Sequence, residues 1–242
     1  MVKPDDLFDL RECEHAAVFQ GLEYVWDALK RLPEYLIRLL SGIDDPSSAN
    51  ATQGEFTIAG RVHIGKNTVI EPGAYIAGPT YIGDHCEIRH NAYIRGNVLI
   101  GNHCVIGNSS ELKGAICLDS SAAPHFAYVG DSILGRRVNL GAGTRLSNLP
   151  ISSEKRGRNG RPSIRIPSAK GPIDTHMEKF GAILGDDVQT GCNSVLNPGT
   201  IVGPGTWIYP GVSLAKGIYP AQSVIKLRQQ LEVIEKRRQS LG

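Results

Sequence analysis

No stretch of this chain is apolar for long enough to cross a bilayer, and its N-terminus has no apolar run of the kind a secretory signal needs. A cytoplasmic protein is expected. Charge of either sign is not in excess: 26 Lys and Arg stand against 24 Asp and Glu in 242 residues, so nothing overall argues for nucleic acid or an anionic membrane as partner. Cysteine is scarce and odd in number, five residues outside any small disulfide-rich frame. They read as reduced, buried thiols.

What is present is a repeat. From Ile58 to Leu118 an aliphatic residue recurs every six positions: Ile58, Ile64, Ile70, Ile76, Ile82, Ile88, Ile94, Ile100, Ile106, Leu112 and Leu118. Four residues after each comes a mostly small side chain, such as Thr68, Ala74, Cys86, Ala92, Cys104 or Ser110, and Gly often follows the aliphatic residue, as in Ile64-Gly65 and Ile82-Gly83. A period of six suits neither an amphipathic helix nor a long flat strand, and the recurrent Gly, Asn and Asp would break either. Short strands separated by turns remain. With three six-residue units to a triangular coil, residues eighteen apart stack about 4.8 Å from one another, hydrogen-bonded along the tube axis. Each coil buries one aliphatic residue per face, and Cys86 and Cys104 fall at inward positions of successive coils as stacked thiols rather than a metal pair. The pattern loses phase after Leu118, resumes at Leu134, Leu140 and Leu146, breaks again, and returns at Leu184, Leu196, Val202, Ile208 and Leu214. Each interruption is expected to be a loop leaving the tube.

The ends read differently. From about Glu14 to Leu40, apolar residues including Phe19, Leu22, Val25, Trp26, Leu29, Leu32, Leu36 and Leu40 recur at three and four, which is helical. Pro33 is expected to end one helix and start another. These helices either cap or flank the tube, pack on a neighbouring subunit, or bind a partner. Ala221 to about Gln239 also reads as a helix, with Val224, Ile225, Leu231 and Ile234 on its apolar face, covering the open end of the tube. The expected organisation is a helical segment over 1–50, a β domain over 51–220 with a loop insertion over 149–179, and a helix over 221–242. From Pro150 to His176 that insertion has six Lys and Arg (Lys155, Arg156, Arg158, Arg161, Arg165, Lys170) against Glu154 and Asp174. It is either a solvated loop or a lid reaching toward a phosphate-bearing ligand.

Arg95 and Lys113 are eighteen residues apart and so one coil apart on one face. Two such cations repel by about 3 kcal/mol at ~5 Å and an effective dielectric of about 20, unless they splay into solvent or share a bound anion. His125 lies in the first interruption, APHFAYVGDSILGRRVNLGAGT. A histidine there can accept a proton near neutral pH, Tyr128 can orient a ligand, and Asn139 can hydrogen-bond a sugar hydroxyl.

The hexapeptide pattern resembles the left-handed parallel β-helix of the hexapeptide-repeat acyltransferases, a mainly β fold whose hand comes from the resemblance and not from the spacing. The order Arg95, Lys113, His125, Tyr128, Asn139 within NLGAGT, Asn148, Lys179-Phe180 and Gly185-Asp186-Asp187 resembles the acetyltransferase half of the bifunctional enzyme that makes UDP-N-acetylglucosamine from glucosamine-1-phosphate. The APH form and the long loop are closer still to archaeal-type sugar-1-phosphate nucleotidylyltransferase/acetyltransferases. The match runs from Tyr75 to about Val212. It implies phosphate binding by Arg95 and Lys113, sugar contacts by Tyr128, Asn139 and Lys179, His125 as the catalytic base, and Asn148 beside the acceptor amine. Acetyl-CoA is then the acyl donor, no metal is required, and the assembly is a homotrimer with the site between subunits.

Four departures accompany the match. Leu149 stands where the family has a tyrosine, Cys192 where a serine meets acetyl-CoA, and Pro210 where an alanine does; Lys226 or Arg228 substitutes for the family's terminal arginine near the coenzyme phosphate. A Gly-rich nucleotide loop before a Rossmann-like strand and helix is not found, so a separate nucleotidyltransferase is a conceivable partner. Competing readings are a noncatalytic assembly or regulatory subunit, and a zinc carbonic anhydrase built on the same coil from His85 and His90 with His63 or His103.

Overall fold

The computed structural model describes residues 2–43, 55–151, 161–168 and 171–228. Between Thr57 and Ile225 the described chain winds as a parallel β-helix whose strands fall into three sheets of eight. The first sheet opens with Thr57–Ala59, the second with Val62–Ile64 and the third with Val69–Ile70. Ile58 pairs with Ile76, Ile76 with Ile94 and Ile94 with Leu112, so residues eighteen apart stack as the spacing requires. Ile64, Ile70, Ile76, Ile82, Ile88, Ile94, Ile100 and Ile106 are buried inside the tube, each fully buried side chain contributing about 1.5–3 kcal/mol.

The residues between the aliphatic positions make the corners. Asn67, His85, His103, Ser120, Arg137 and Asp187 occupy one corner in successive coils, all at positive φ, a region costly for β-branched residues and most open to Gly, Asn, Asp and His. This is why His85 and His103 stack, their rings 5.0 Å apart and nearly parallel. His63 instead stacks on Tyr81, and His90 bonds the Pro72 carbonyl. Cys86 and Cys104 stack inside the tube, the Cys104 amide donating to Cys86 Sγ at 3.4 Å. Hydrogen bonding to Cys104 and burial hold the Cys86 thiol protonated. Cys117 is buried too, but Cys13 is only half-buried and Cys192 is exposed, so the expectation of buried thiols holds for three of five.

The first interruption is not a loop. Leu112 pairs with Val129, Ile100 with Cys117 and Ile106 with Ala123, each seventeen apart. Lys113-Gly114 makes the turn that Arg95-Gly96-Asn97 makes one coil earlier, so the coil is one residue shorter and the phase slips. Cys117 therefore fills the inward position expected of Leu118, and Leu118 packs outside the tube. The second interruption is an insertion: Leu134 pairs with Leu184 and Leu146 with Leu196, fifty apart. Its described part contains an antiparallel hairpin, Arg165–Ile166 with Ile173–Asp174, which buries Ile164 and Ile166. Lys155, Arg156, Arg158 and Lys170 lie outside the described residues.

The second sheet is apolar on both sides. Its outward residues Leu99, Ile116, Ile133, Ile183 and Ile201 are buried against the N-terminal segment and the inserted hairpin. That segment is one α-helix, Asp27–Ser41, preceded by short 3₁₀ turns at Pro4–Asp6 and Ala16–Val18. The helical expectation from Glu14 fails because Gly21 turns the chain at φ +72°. Pro33 does not divide the helix: Ala28, Leu32, Leu36 and Leu40 keep one buried stripe in phase across it, and their burial offsets the lost hydrogen bond. Arg61 ties the helix end to the tube through the Leu40 carbonyl at 2.7 Å. At the other end, Val224–Ile225 pairs with Trp207–Ile208 as a further strand of the third sheet. This strand stands where the C-terminal helix was expected to begin; residues 229–242, with Leu231 and Ile234, lie outside the described residues.

Candidate functional site

The outer face of the first sheet carries one side chain per coil in the order Tyr75, Tyr93, Glu111, Tyr128, Arg145. Beside this column runs a second, in which Arg95 is followed by Lys113 and Lys113 by Gly130. The spacing had stacked two unpaired cations; the fold gives each a carboxylate. Arg95 Nη1 donates to Glu111 Oε1 at 2.8 Å, and Lys113 Nζ lies 3.7 Å from Asp131 Oδ2. The repulsion inferred from sequence is thereby cancelled without a ligand. Glu111 and Asp131 were missed, although Asp131 follows Lys113 by the same eighteen residues that singled out the cations.

Asn148 joins this group. Its Nδ2 donates to Asp131 Oδ2 at 2.6 Å and its Oδ1 accepts from the Tyr128 hydroxyl at 3.3 Å. Tyr128 reaches it by lying across Gly130, where an added Cβ would come within 2.6 Å of the phenol oxygen. Burial, with Glu111 and Asp131 close by, raises the Tyr128 pKa, so the hydroxyl stays a proton donor. The insertion closes at the same place. Phe180 N donates to the Asn148 carbonyl at 3.0 Å, and Phe180 is anchored in the outer core near Trp26. The exposed Lys179 is thus delivered to the rim of the group.

His125 lies around the corner, at the end of the third-sheet strand Ala122–His125, with its side chain exposed and without a hydrogen-bond partner among the described residues. Three backbone bonds run down that corner: Gly143 N to the His125 carbonyl at 3.0 Å, Asn193 N to the Ala142 carbonyl at 2.8 Å, and Gly211 N to the Cys192 carbonyl at 2.9 Å. His125, Ala142, Cys192 and Pro210 therefore form one ridge parallel to the axis, about 4.8 Å per coil. Gly107 supports it from the preceding coil, since a Cβ there would overlap the Pro124 carbonyl. Phe126, next along, is a bulky residue at φ +51° and 54% exposed. Gly143 and Asn193 hold the same corner position in later coils. Arg145 fixes the Phe126 carbonyl through Nη1.

Other expected site residues are not brought to this group. Asn139 is on the outer face of the third sheet, in register with Ala122 and Gln189. Lys226 places its ammonium 4.8 Å from the Tyr209 ring centre near the tube's end, and Arg228 is the last described residue. Among the described residues, no three His, Cys, Asp or Glu side chains are grouped to hold one metal ion.

The family model described as the GMPPB C-terminal domain matches residues 76–204, more than half of the chain. The chain belongs to this family. Arg95, Lys113, His125, Tyr128, Asn139, Asn148, Lys179 and Cys192 fall inside the GMPPB C-terminal domain match, whereas Pro210, Lys226 and Arg228 fall beyond it. Among curated relatives, the "Bifunctional protein GlmU" of Methanococcus maripaludis is 32% identical over 78% of this chain and 43% of its own length. The "Bifunctional sugar-1-phosphate nucleotidylyltransferase/acetyltransferase" of Sulfurisphaera tokodaii is 37% identical over 35% of this chain and 19% of its own length. The chain thus spans less than half the length of these relatives. Among solved structures, the UDP-N-acetylglucosamine acyltransferase of Francisella novicida has the same fold, with a TM-score of 0.50 and 15% identity over 69% of this chain and 62% of that one.

Proposed function

We propose that this protein transfers acetyl from acetyl-CoA to the amine of an amino-sugar 1-phosphate, glucosamine-1-phosphate before other sugars. The observation that carries this reading is the convergence of Arg95, Lys113, Tyr128 and Asn148 on one face, beside an exposed His125 that heads a straight ridge with Cys192 and Pro210. The cations take the phosphate, Tyr128 and Lys179 take sugar oxygens, and Asn148 lies beside the amine. The amine nitrogen attacks the thioester carbon, His125 takes the amine proton, and as the C–S bond breaks that proton passes from His125 to the leaving thiolate, so coenzyme A departs as its thiol. Holding donor and acceptor on adjacent faces supplies much of the rate. Asn139 serves the same chemistry only across a subunit boundary, which fits a homotrimer that packs on the first and third faces, the second being covered by the chain itself. The reading places the protein in the cytoplasm.

A second reading, a noncatalytic assembly subunit, draws support from the ion pairs: a group already neutral and hydrogen-bonded needs no ligand. The test follows coenzyme A release from acetyl-CoA with glucosamine-1-phosphate, galactosamine-1-phosphate or no acceptor, in wild type and His125→Ala. Acceptor-dependent release that collapses in the variant is the expected result. A folded protein that releases nothing with either sugar would favour the assembly subunit.

A further inference from the structure

The first-sheet face does not end at Arg95. Two coils from Tyr128, past Glu111, comes Tyr93, level with Arg95, and one coil further again comes Tyr75, in direct register. Both are open to solvent, 44% and 39% exposed, with ring centres 5.6 Å apart and edge to face. The Arg95 guanidinium carbon lies 5.8 Å from the Tyr93 ring centre, so the cationic and aromatic surfaces are continuous. Along the axis the face presents hydroxyl and amide groups at Tyr128 and Asn148, then Lys113 with Glu111 in the next coil, then Arg95 with Tyr93, then Tyr75.

An amino-sugar 1-phosphate with its sugar at Tyr128 and its phosphate on the cations would stop at Arg95. Tyr93 flanks the phosphate position beside Arg95 and Tyr75 lies on its far side from the sugar, where the rest of a phosphodiester-linked molecule would continue. At about 4.8 Å per coil, Tyr128 and Tyr93 are about 10 Å apart along the axis and Tyr128 and Tyr75 about 14 Å. That separation accommodates a diphosphate between a sugar and a base. Arg95 commits one nitrogen to Glu111 and, with five N–H donors in all, can also serve a second phosphate. Aromatic faces hold bases by stacking, with little demand on which base it is.

We infer that the acceptor is an amino sugar linked to a nucleoside diphosphate, with Tyr93 and Tyr75 forming the base-stacking end of the site. This rests on the acetyl-transfer reading above and replaces its acceptor with a longer one.

The test uses the full chain and compares kcat/KM for acetylation of glucosamine-1-phosphate with that for UDP-linked and GDP-linked glucosamine. Equilibrium binding of UDP and GDP alone is measured beside it, in wild type, Tyr93→Ala and Tyr93→Phe. A nucleotide-linked acceptor should be preferred by at least tenfold, through KM, and Tyr93→Ala should reduce that preference and the matching nucleotide affinity by about 10- to 100-fold. Tyr93→Phe, which keeps the ring, should retain both. Acetylation of glucosamine-1-phosphate with no preference for either nucleotide-linked sugar would overturn this inference and leave the acetyl-transfer reading in place. No acetylation of any acceptor, with UDP or GDP still bound through Tyr93, would sink acetyl transfer and keep the nucleotide subsite. Nucleotide binding indifferent to Tyr93→Ala, with a changed oligomeric state, would assign the tyrosines to contact between copies of the chain and overturn the inference.

Discussion

Asn148 Nδ2 donates to Asp131 Oδ2 at 2.6 Å, and the same carboxylate oxygen faces Lys113 Nζ at 3.7 Å. One acidic group thus sets both the direction of an amide and the position of a cation. Asp131→Ala is expected to lower kcat/KM for acetyl transfer by about 100-fold through misplacement of both. Asp131→Asn, which keeps an acceptor for Asn148 and loses the charge facing Lys113, should fall between. Steady-state kinetics on folded variants decides it, and an Asp131→Ala enzyme as active as wild type would make the network idle.

Gly130 is required by its neighbour. A methyl group there would meet the Tyr128 phenol at 2.6–2.8 Å, so Gly130→Ala should push the ring off Asn148 while leaving the inward residues of that coil in place. The expected phenotype is a loss of sugar affinity of about tenfold, the scale of one hydrogen bond, with little change in Tm. A Tm drop of many degrees without a KM change would show the glycine to be purely architectural.

Phe126 carries a local cost. Its φ of +51° is unfavourable for a bulky residue, while Asn91, Asn193 and Ser109 take the same corner position in other coils at similar angles. Phe126→Asn is expected to raise stability by about 1 kcal/mol and to lower activity, because Phe126 adjoins His125. Denaturant titration and kinetics on the same preparation would reveal the trade. A less stable variant would contradict the strain argument.

Asp187 and Arg137 form a two-pronged ion pair at 2.6 and 2.7 Å across the insertion boundary. Hydrogen bonding to Arg137 lowers the Asp187 pKa below its ordinary 3.8. A carboxylate depressed in the folded state stabilises above its unfolded pKa and loses that contribution as pH falls through the folded value. Because the pair is half-exposed, the effect is under about 1 kcal/mol. The stability difference between wild type and Asp187→Asn should be flat above about pH 5 and shrink toward pH 2; a difference that grows on acidification would reverse the assignment.

The N-terminal segment is held by the second sheet's outer face. Leu99→Ala removes a fully buried side chain between the two and should cost about 3 kcal/mol. Hydrogen exchange should locate the loss in Asp27–Ser41 rather than in the tube. Uniform deprotection of the coils instead would mean that the cover and the β-helix unfold as one unit.

The six-residue recurrence of aliphatic residues was enough to establish the tube, because each strand is two to four residues long and its inward side chain cannot change face without losing its burial. Leu134, Leu140, Leu146, Leu184, Leu196, Val202, Ile208 and Leu214 all resumed inside it as their phase required. A sign of the N-terminal cover was also present in sequence. Leu99, Ile116, Ile133, Ile183 and Ile201 each precede an inward residue, marking strands apolar on both faces, but the six-residue repeat drew attention to one face only. What the sequence could not decide was register after a one-residue change in turn length. The shortened turn at Gly114 moved Cys117 into the tube, kept His125 and Tyr128 on consecutive strands, and set Asp131 against Lys113 and Asn148. Periodicity records which residues are inward, and it is local. Which outward side chains meet depends on the stacking of coils brought together from seventeen to fifty residues apart, and only the tertiary structure sets that.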